Sequence, residues 1–316
     1  MNNGNERMIR GKILAVPAGC FWTVIAVCLI GIVIGSFCDF DIGMAIAGKT
    51  DLGMFFATFS PFLAYALLPA GGACLFAGLR KKSESFKSLG WLLMIFGWFM
   101  AVYFSNEYFG KSVRSILGYT AGESSALLTV LSWLIWAVLY AMVPVILLRL
   151  LDDSDPDKLI AVGVAFWVAT FAADAVMQWL KQVASRPRPK YLLTLEDPVS
   201  EFRNWWQMIP HLAGNNDSYQ SWPSGHMSIV SVLFALPVLI DCMKKRSERI
   251  KLVGFIFVCV FILLCGYNRM HMTNHFLSDV CFGTLNTSLL TAVIFSVFLK
   301  AASRYGKNKQ ECNLQP

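Results

Sequence analysis

The chain has 316 residues, of which 56% are hydrophobic and only 15% are charged, and its formal net charge is +7. This balance excludes an ordinary soluble domain, in which roughly a quarter of the residues are charged. A membrane protein is therefore the first hypothesis. The positive charge does not by itself indicate nucleic acid as a partner, because its distribution along the chain follows a membrane topology instead.

Apolar stretches that are long enough, or nearly long enough, to cross a bilayer recur along the whole chain. In chain order they are residues 14–36, 54–79, 88–104, 125–150, 159–180, 226–241, 252–267 and 276–299. The third and the sixth are short, since a spanning helix needs about 20 mostly apolar residues. We therefore predict an all-α polytopic membrane bundle of about eight transmembrane helices.

The basic residues are distributed unequally between the two ends of these stretches. With eight spans and the N-terminus inside, the inner segments hold 18 of the 27 Lys and Arg residues. The positive-inside rule then predicts that both termini are cytoplasmic, in a plasma or inner membrane. The outer segment 181–225 opposes this bias with five basic residues. Its positive charge therefore indicates a separate requirement, and we predict an extracytoplasmic site.

Three clusters of polar residues lie on the outer side of the predicted spans. They are Lys181 with Arg188-Pro189, then Pro223-Ser224-Gly225-His226, then Arg269 with His275 and Asp279. Each cluster alone has an ordinary explanation, because basic residues at helix ends often extend to the interface and Pro-Ser-Gly often begins a helix. Together they supply three cations, two histidines and a carboxylate, which are groups that phosphoryl transfer uses.

Five of these residues are candidates for phosphate binding. Lys181, Arg188 and Arg269 can neutralise phosphate oxygens, the arginines through two-pronged contacts. Ser224 and Gly225 would begin a helix whose first N–H groups point outward and favour an anion.

The remaining three residues are candidates for catalysis. His275 and Asp279 are four residues apart, so on a helix they would share one face. Asp279 could then accept the proton of one imidazole nitrogen and leave the other nitrogen free to attack phosphorus. His226 would supply a proton to the leaving oxygen.

These clusters resemble the three signatures of the type 2 phosphatidic acid phosphatase (PAP2) superfamily of integral-membrane lipid phosphatases. The signatures are Lys, six residues and Arg-Pro; Pro-Ser-Gly-His; and Ser-Arg, five residues, His, three residues and Asp. The resemblance covers about residues 175–300 and departs from the pattern at Asn268, where the family commonly has Ser. It implies a phosphohistidine intermediate on His275, acid catalysis by His226, phosphate binding by the other residues and no metal.

The resemblance also implies a division of the chain. We expect N-terminal transmembrane helices over 1–124, a PAP2-like catalytic core over 125–302 that includes the outer loop 181–225, and a polar, disordered cytoplasmic tail over 303–316. The family core usually has six helices, with the first signature after the third. Five spans precede Lys181 here, so two of them would be an N-terminal addition.

Three further polar residues in apolar spans are candidates for a supporting role. Asp174 and Gln178 precede Lys181, and Asp174 lies two turns before it on the same face. An ionisable residue within a span is a functional candidate, although a structural contact between helices is an equal alternative. Asn286, two turns beyond Asp279, suggests the same interpretation.

The function predicted from these residues is hydrolysis of a lipid phosphate or lipid diphosphate. Isoprenoid diphosphate, phosphatidate and phosphatidylglycerophosphate types and a phosphorylated glycolipid all fit. The bilayer is the other partner, and no cofactor or metal is expected. A lipid-linked phosphotransferase that uses the same histidine is the alternative. A transporter is disfavoured, because the sequence has no internal symmetry and no matched broken helices. The oligomeric state stays open.

Overall fold

The computed structural model describes residues 11–48, 51–116, 126–209 and 216–312. A two-stranded antiparallel hairpin, β1 (Lys12–Ile13) and β2 (Val16–Pro17), precedes a bundle of helices. The helices are α1 (Ala18–Ala45), α2 (Asp51–Tyr65), α3 (Leu67–Lys82), α4 (Lys87–Ile116), α5 (Ala126–Leu150), α6 (Pro156–Ala184), α7 (Pro189–Leu192), α8 (Pro198–Glu201), α9 (Gly225–Val230), α10 (Leu236–Ile240), α11 (Glu248–His271) and α12 (Leu277–Cys312). Short 3₁₀ turns lie at Glu84–Phe86, Asp217–Tyr219 and Ser231–Ala235.

Within these described ranges, seven helical segments are long and apolar enough to cross a membrane. They are Ala18–Ala45, Phe59–Lys82, Glu84–Asn106, Ala126–Leu150, Pro156–Leu192, Glu248–His271 and Leu277–Gly306. The predicted all-α polytopic bundle is thereby confirmed. The predicted stretch at 226–241 corresponds to a shorter apolar helical segment, Gly225–Ile240.

This shorter segment nevertheless connects the two ends of the bundle. Just before it, the Ser224 N–H donates to the Asp279 carbonyl oxygen in the first turn of α12, over 3.1 Å. Just after it, Asp241 accepts a hydrogen bond of 2.7 Å from Lys158 in the first turn of α6. The 3₁₀ turn in its middle rises about 2.0 Å per residue instead of 1.5 Å, so the segment reaches about 26 Å.

The centre of the bundle is formed by α3, α6 and α12. Helix α3 packs on α4 and α6, while α12 packs on α1 and α6. A Cβ atom at Gly71 in α3 would lie 2.9 Å from the carbonyl oxygen of Gly163 in α6, so the glycines permit this close crossing. In α1, α4, α5 and α11, many large apolar side chains are exposed. Such a continuous apolar surface fits contact with lipid.

The last helix is longer than the sequence indicated. Helix α12 continues to Cys312, so the expected disorder is wrong for residues 303–312, and residues 313–316 lie outside the described part. The segment contains Arg, Lys, Gln and Glu, which have good helix propensity, so the helix can continue beyond its apolar part. The division into 1–124, 125–302 and 303–316, and the six-helix core, stay predictions.

Candidate active site

The three predicted clusters meet at one end of the bundle, where α6 and α11 end and α9 and α12 begin. Helix α6 ends because Ser185 adopts a left-handed conformation (φ 43°) and Pro187 follows shortly after it. Lys181 therefore lies in the last turn of α6, and the chain continues away from the helix through Arg186 and Arg188. Arg269 occupies the equivalent position in the last turn of α11.

His275 lies in the loop between α11 and α12 and is only 1% exposed. Its Nδ1 atom is 2.7 Å from the Ser221 carbonyl oxygen. A carbonyl oxygen can only accept, so Nδ1 carries the proton and the Nε2 atom of the neutral ring holds the lone pair.

The electrostatic environment of His275 favours this neutral form. Burial, and then the positive charges of Arg188, Arg269 and Lys181, lower the pKa of His275 well below its ordinary value, against the opposing effect of the Ser221 carbonyl. Three cations that disfavour a protonated imidazole would favour a phosphate dianion in the same place.

Asp279 does not contact the imidazole as the sequence suggested. His275 precedes the first residue of α12, so the spacing of four residues does not place the two side chains on one helical face. Instead, the Asp279 carboxylate accepts hydrogen bonds from the Ser221 hydroxyl (2.6 Å) and the Phe276 N–H (2.8 Å). Asp279 therefore positions Ser221, whose carbonyl binds the imidazole, and Phe276, which follows His275.

The three predicted phosphate-binding cations are buried beside this histidine. Lys181, Arg188 and Arg269 are between 6% and 8% exposed. A Cβ atom at Gly225 would lie 3.3 Å from the Lys181 Nζ atom, so the backbone of Gly225 and this ammonium group are neighbours. Arg188 donates to the Asn274 amide oxygen over 3.2 Å. A single phosphate group could contact charges from three separate parts of the chain.

Ser224, Gly225 and His226 complete the rim of the site. Ser224 is fully buried, and its hydroxyl has no hydrogen-bond partner among the described residues. A buried hydroxyl without a partner costs about 1–3 kcal/mol of folding free energy. This cost favours a ligand that would accept a hydrogen bond from the hydroxyl. His226 follows directly in the first turn of α9 and is half-buried.

The three candidate supporting residues are placed differently. Asp174 is half-buried and lies close enough to Lys181 for their charges to interact. Gln178 is exposed and Asn286 is half-buried, and neither makes a side-chain hydrogen bond within the described ranges. The structure brings Asp174 to the site and does not bring Gln178 or Asn286 there.

Asp217 in the outer loop pairs with the site cations, a contact that the sequence did not predict. Its carboxylate lies 2.8 Å from Arg188 and 2.5 Å from Lys190. Burial acts to raise the pKa of Asp217, but Arg188 and Lys190 together lower it below the ordinary value. The carboxylate is therefore ionised and covers part of the cationic surface.

A second group that the sequence analysis missed is a buried network around Arg186. The Arg186 guanidinium donates to the carboxylates of Asp39 (2.9 Å) and Asp279 (2.5 Å) and to the Ser278 hydroxyl (2.9 Å). Its Nε atom donates to the Arg203 carbonyl oxygen over 2.8 Å. Arg186 and Asp39 are each 1% exposed. Asp39 comes from α1, so the first helix supports the residues that hold His275.

A signal for this network was present in the sequence. Asp39 is an ionisable residue next to an apolar run, which is a functional candidate by itself. It lies just beyond the predicted stretch 14–36, whereas α1 continues to Ala45. Arg186 is one of the five basic residues of the outer segment 181–225, and its position in the sequence does not distinguish it from the other four.

Comparison with known proteins identifies the part of the chain that carries the site. Residues 162–303 match the family profile described as PAP2 superfamily. No curated protein and no solved structure matches the chain. The matched range begins inside α6 and ends inside α12, so it contains all three clusters and excludes α1 with Asp39. The protein is a multi-pass membrane protein, and its match to the PAP2 superfamily covers residues 162–303.

Proposed function

We propose that this protein hydrolyses a lipid phosphate or lipid diphosphate through a phosphohistidine intermediate on His275. The observation that carries the proposal is the state of the buried imidazole. Its Nδ1–H is held by the Ser221 carbonyl at 2.7 Å, which leaves Nε2 as a nucleophile beside three buried cations.

In the first step, the Nε2 lone pair of His275 attacks phosphorus, and the bond between phosphorus and the leaving oxygen breaks. His226 donates a proton to that oxygen, because a lipid alkoxide is a poor leaving group. Lys181, Arg188 and Arg269 neutralise the phosphoryl oxygens in the transition state, so this scheme requires no metal ion.

In the second step, water attacks the phosphorus of phosphohistidine. His226, now unprotonated, takes a proton from this water, and the phosphorus–nitrogen bond breaks. Inorganic phosphate leaves, and His275 returns to its neutral form. Throughout the cycle Asp279 acts as a positioning residue, through its hydrogen bonds to Ser221 and Phe276.

The placement of the site supports a lipid substrate. The candidate residues lie where apolar helices α6, α9, α11 and α12 begin or end, at the boundary between an apolar and a polar surface. A phosphate on a membrane lipid would reach this depth with its tail still in the bilayer. With the N-terminus inside, the positive-inside distribution puts this end on the extracytoplasmic face of a plasma or inner membrane. Isoprenoid diphosphate, phosphatidate and phosphatidylglycerophosphate are the candidate substrate types.

The experiment that tests the roles of the two histidines compares two leaving groups. We expect His275→Ala to abolish turnover of a lipid phosphate and of nitrophenyl phosphate. Without the imidazole, neither substrate can form the phosphohistidine intermediate. We expect His226→Ala to be severe for the lipid and milder for the aryl ester, because phenolate leaves without protonation. The measurement is the amount of lipid alcohol or nitrophenol released in the first turnover, because the second step also needs His226. Release of inorganic phosphate is measured in parallel. It also separates hydrolysis from transfer to another acceptor.

His271→Ala is the matched control. Its Nδ1 atom pairs with the Ile46 carbonyl oxygen at 2.7 Å, at the same end of the bundle but outside the site. It should keep activity on both substrates. Rescue of His275→Ala by the aryl ester, with no rescue of His226→Ala, would show that the two roles are reversed.

A further inference from the structure

A cavity of about 940 Å³ lies at the end of the bundle opposite the candidate active site. Its position follows from the helices that line it. Helix α6 carries Lys158 of the cavity in its first turn and Lys181 of the site in its last turn. Helix α12 begins at Leu277 near the site and reaches Lys300 of the cavity about 34 Å later. The cavity is therefore at the other surface of the membrane.

The polar part of this cavity has an excess of positive charge. Lys12, Lys158, Lys251 and Lys300 line it, together with only two acids, Asp241 and Glu248. The Asp241 carboxylate binds Lys158 (2.7 Å) and Lys251 (2.8 Å), and Glu248 binds Lys251 (2.7 Å) and Lys12 (2.9 Å). Lys300 has no ion-pair partner in the described part of the chain. The two carboxylates thus pair with three of the four ammonium groups, and an anion would balance the remaining positive charge.

The rest of the cavity wall is apolar and faces the lipid. Trp22 of α1 is 53% exposed, and Val293 and Val297 of α12 are 60% and 59% exposed. Phe21 and Phe295 close the inner side. A cavity that is cationic at the membrane surface and apolar below it fits an amphiphile with an anionic head group. Its volume lies within the range of about 300–1,000 Å³ that is usual for ligand sites.

The N-terminal hairpin fixes one of the lysines at this cavity. Leu14 and Ala15 form its turn with positive φ values of 49° and 65°, a conformation that costs L-residues of order 1 kcal/mol or more. Leu14 and Val16 are buried against the bundle. The burial holds the turn in place and keeps Lys12 over the cavity.

We propose that this cavity binds an anionic glycerophospholipid of the leaflet opposite the active site. The lipid phosphate would lie near Lys300 and Lys12, and an acyl chain would follow the surface between α1 and α12. Basic pockets between transmembrane helices are suited to anionic head groups. This lipid is not the substrate, since the length of the bundle separates it from His275.

The test uses the full chain purified in detergent. Its Tm is measured after addition of dioleoyl phosphatidylglycerol or of the zwitterionic dioleoyl phosphatidylcholine at the same molar ratio. We expect phosphatidylglycerol to raise Tm by about 3 °C more than phosphatidylcholine. The double variant Lys12→Gln/Lys300→Gln should lose this difference. The control Lys81→Gln/Lys87→Gln removes two lysines that lie outside the cavity and should keep it.

Two further arms make the result decisive. Ser296→Trp fills the apolar part of the cavity with all four lysines retained, so it should also lose the difference, even if the lysine variant fails to fold. His275→Ala should keep it, because binding is remote from catalysis. Equal Tm shifts with both lipids in the unchanged protein would overturn the proposal. So would a gain that survives both cavity variants, or an equal gain with inorganic phosphate alone.

Discussion

At the scale of single residues, His275 combines nearly complete burial with three neighbouring cations. Both effects lower the pKa of its side chain below the ordinary value, burial being the larger. An ordinary histidine becomes protonated as the pH falls through about 6.5. The His275 ring therefore stays neutral at that pH and can still attack phosphorus.

A pH profile tests this state of His275. The acid limb of kcat/KM reports the free enzyme, so we expect it to lie below pH ~6.5 after correction for the ionisation of the substrate. Hydrolysis of nitrophenyl phosphate across the pH range is the measurement. An acid limb assigned to His275 at or above that value would contradict the neutral buried imidazole.

The Arg186 network makes a second prediction at this scale. Asp39→Asn keeps the shape of the side chain but removes one of the two carboxylates that hold Arg186 at 2.9 and 2.5 Å. We expect kcat to fall about tenfold, or ~1.4 kcal/mol, with a smaller change in KM, because the phosphate-binding cations are untouched. Loss of a buried pair should also lower Tm.

The control for Asp39→Asn is two residues away on the same helix. Asp41 is exposed, so Asp41→Asn should leave kcat and Tm near those of the unchanged protein. Equal effects of the two substitutions would show that Asp39 has no positioning role. Because unfolded enzyme lowers the apparent kcat without changing KM, kcat is normalised to the folded fraction, which separates such a role from a general loss of folded protein.

At the scale of secondary structure elements, the site depends on the close contact between α12 and the start of α9. A Cβ atom at Gly283 would lie 2.8 Å from the Ser224 carbonyl oxygen and 3.2 Å from the Ser228 hydroxyl. Because backbone cannot move as easily as a side-chain end, a larger residue at Gly283 must displace Ser224.

We therefore expect Gly283→Ala to lower kcat/KM by about tenfold or more, by moving Ser224 and Gly225 relative to Lys181. Gly254→Ala in α11 is the matched control. Its Cβ atom would meet the end of the Ile240 side chain at 2.7 Å, which can rotate away, and the end of the Leu236 side chain at an ordinary contact distance of 3.9 Å. Phosphate release by both variants is the measurement, and equal activities would contradict the proposed importance of this contact.

The same elements show which features a sequence can predict. Apolar runs marked the spanning helices well, because burial in lipid demands long apolar segments whatever their neighbours are. The shortness of 226–241 was also visible, but the 3₁₀ turn that lengthens this segment was not. Three ordered clusters identified the residues that meet around His275.

Contacts between distant parts of the chain could not be predicted in this way. The spacing of His275 and Asp279 suggested a direct hydrogen bond, but the helix starts after His275 and the Ser221 carbonyl takes that place. Arg186 and Asp39 are 147 residues apart in sequence, and the packing of both α1 and α6 on α12 brings them together. The pattern of residues within one short stretch carries no information on a contact between two distant stretches.

At the scale of the whole molecule, the orientation in the membrane is a prediction from charge. Impermeant maleimide should label Ser218→Cys in intact cells and should label Ser247→Cys only after permeabilisation, relative to the background of native cysteines. Ser218 lies in the outer loop beside Arg188, and Ser247 precedes α11 at the other end. Labelling of Ser247→Cys alone in intact cells would invert the topology.

If phosphate passes through a covalent bond to His275, that bond can be trapped on the protein. His226→Ala should react with ³²P-labelled nitrophenyl phosphate, because phenolate leaves without an acid. Water attack on the product then lacks its base, so label should accumulate on the protein. The proposed mechanism predicts an acid-labile, alkali-stable label that maps to the peptide containing His275. Turnover by this variant without bound label, or with label on another residue, would contradict it.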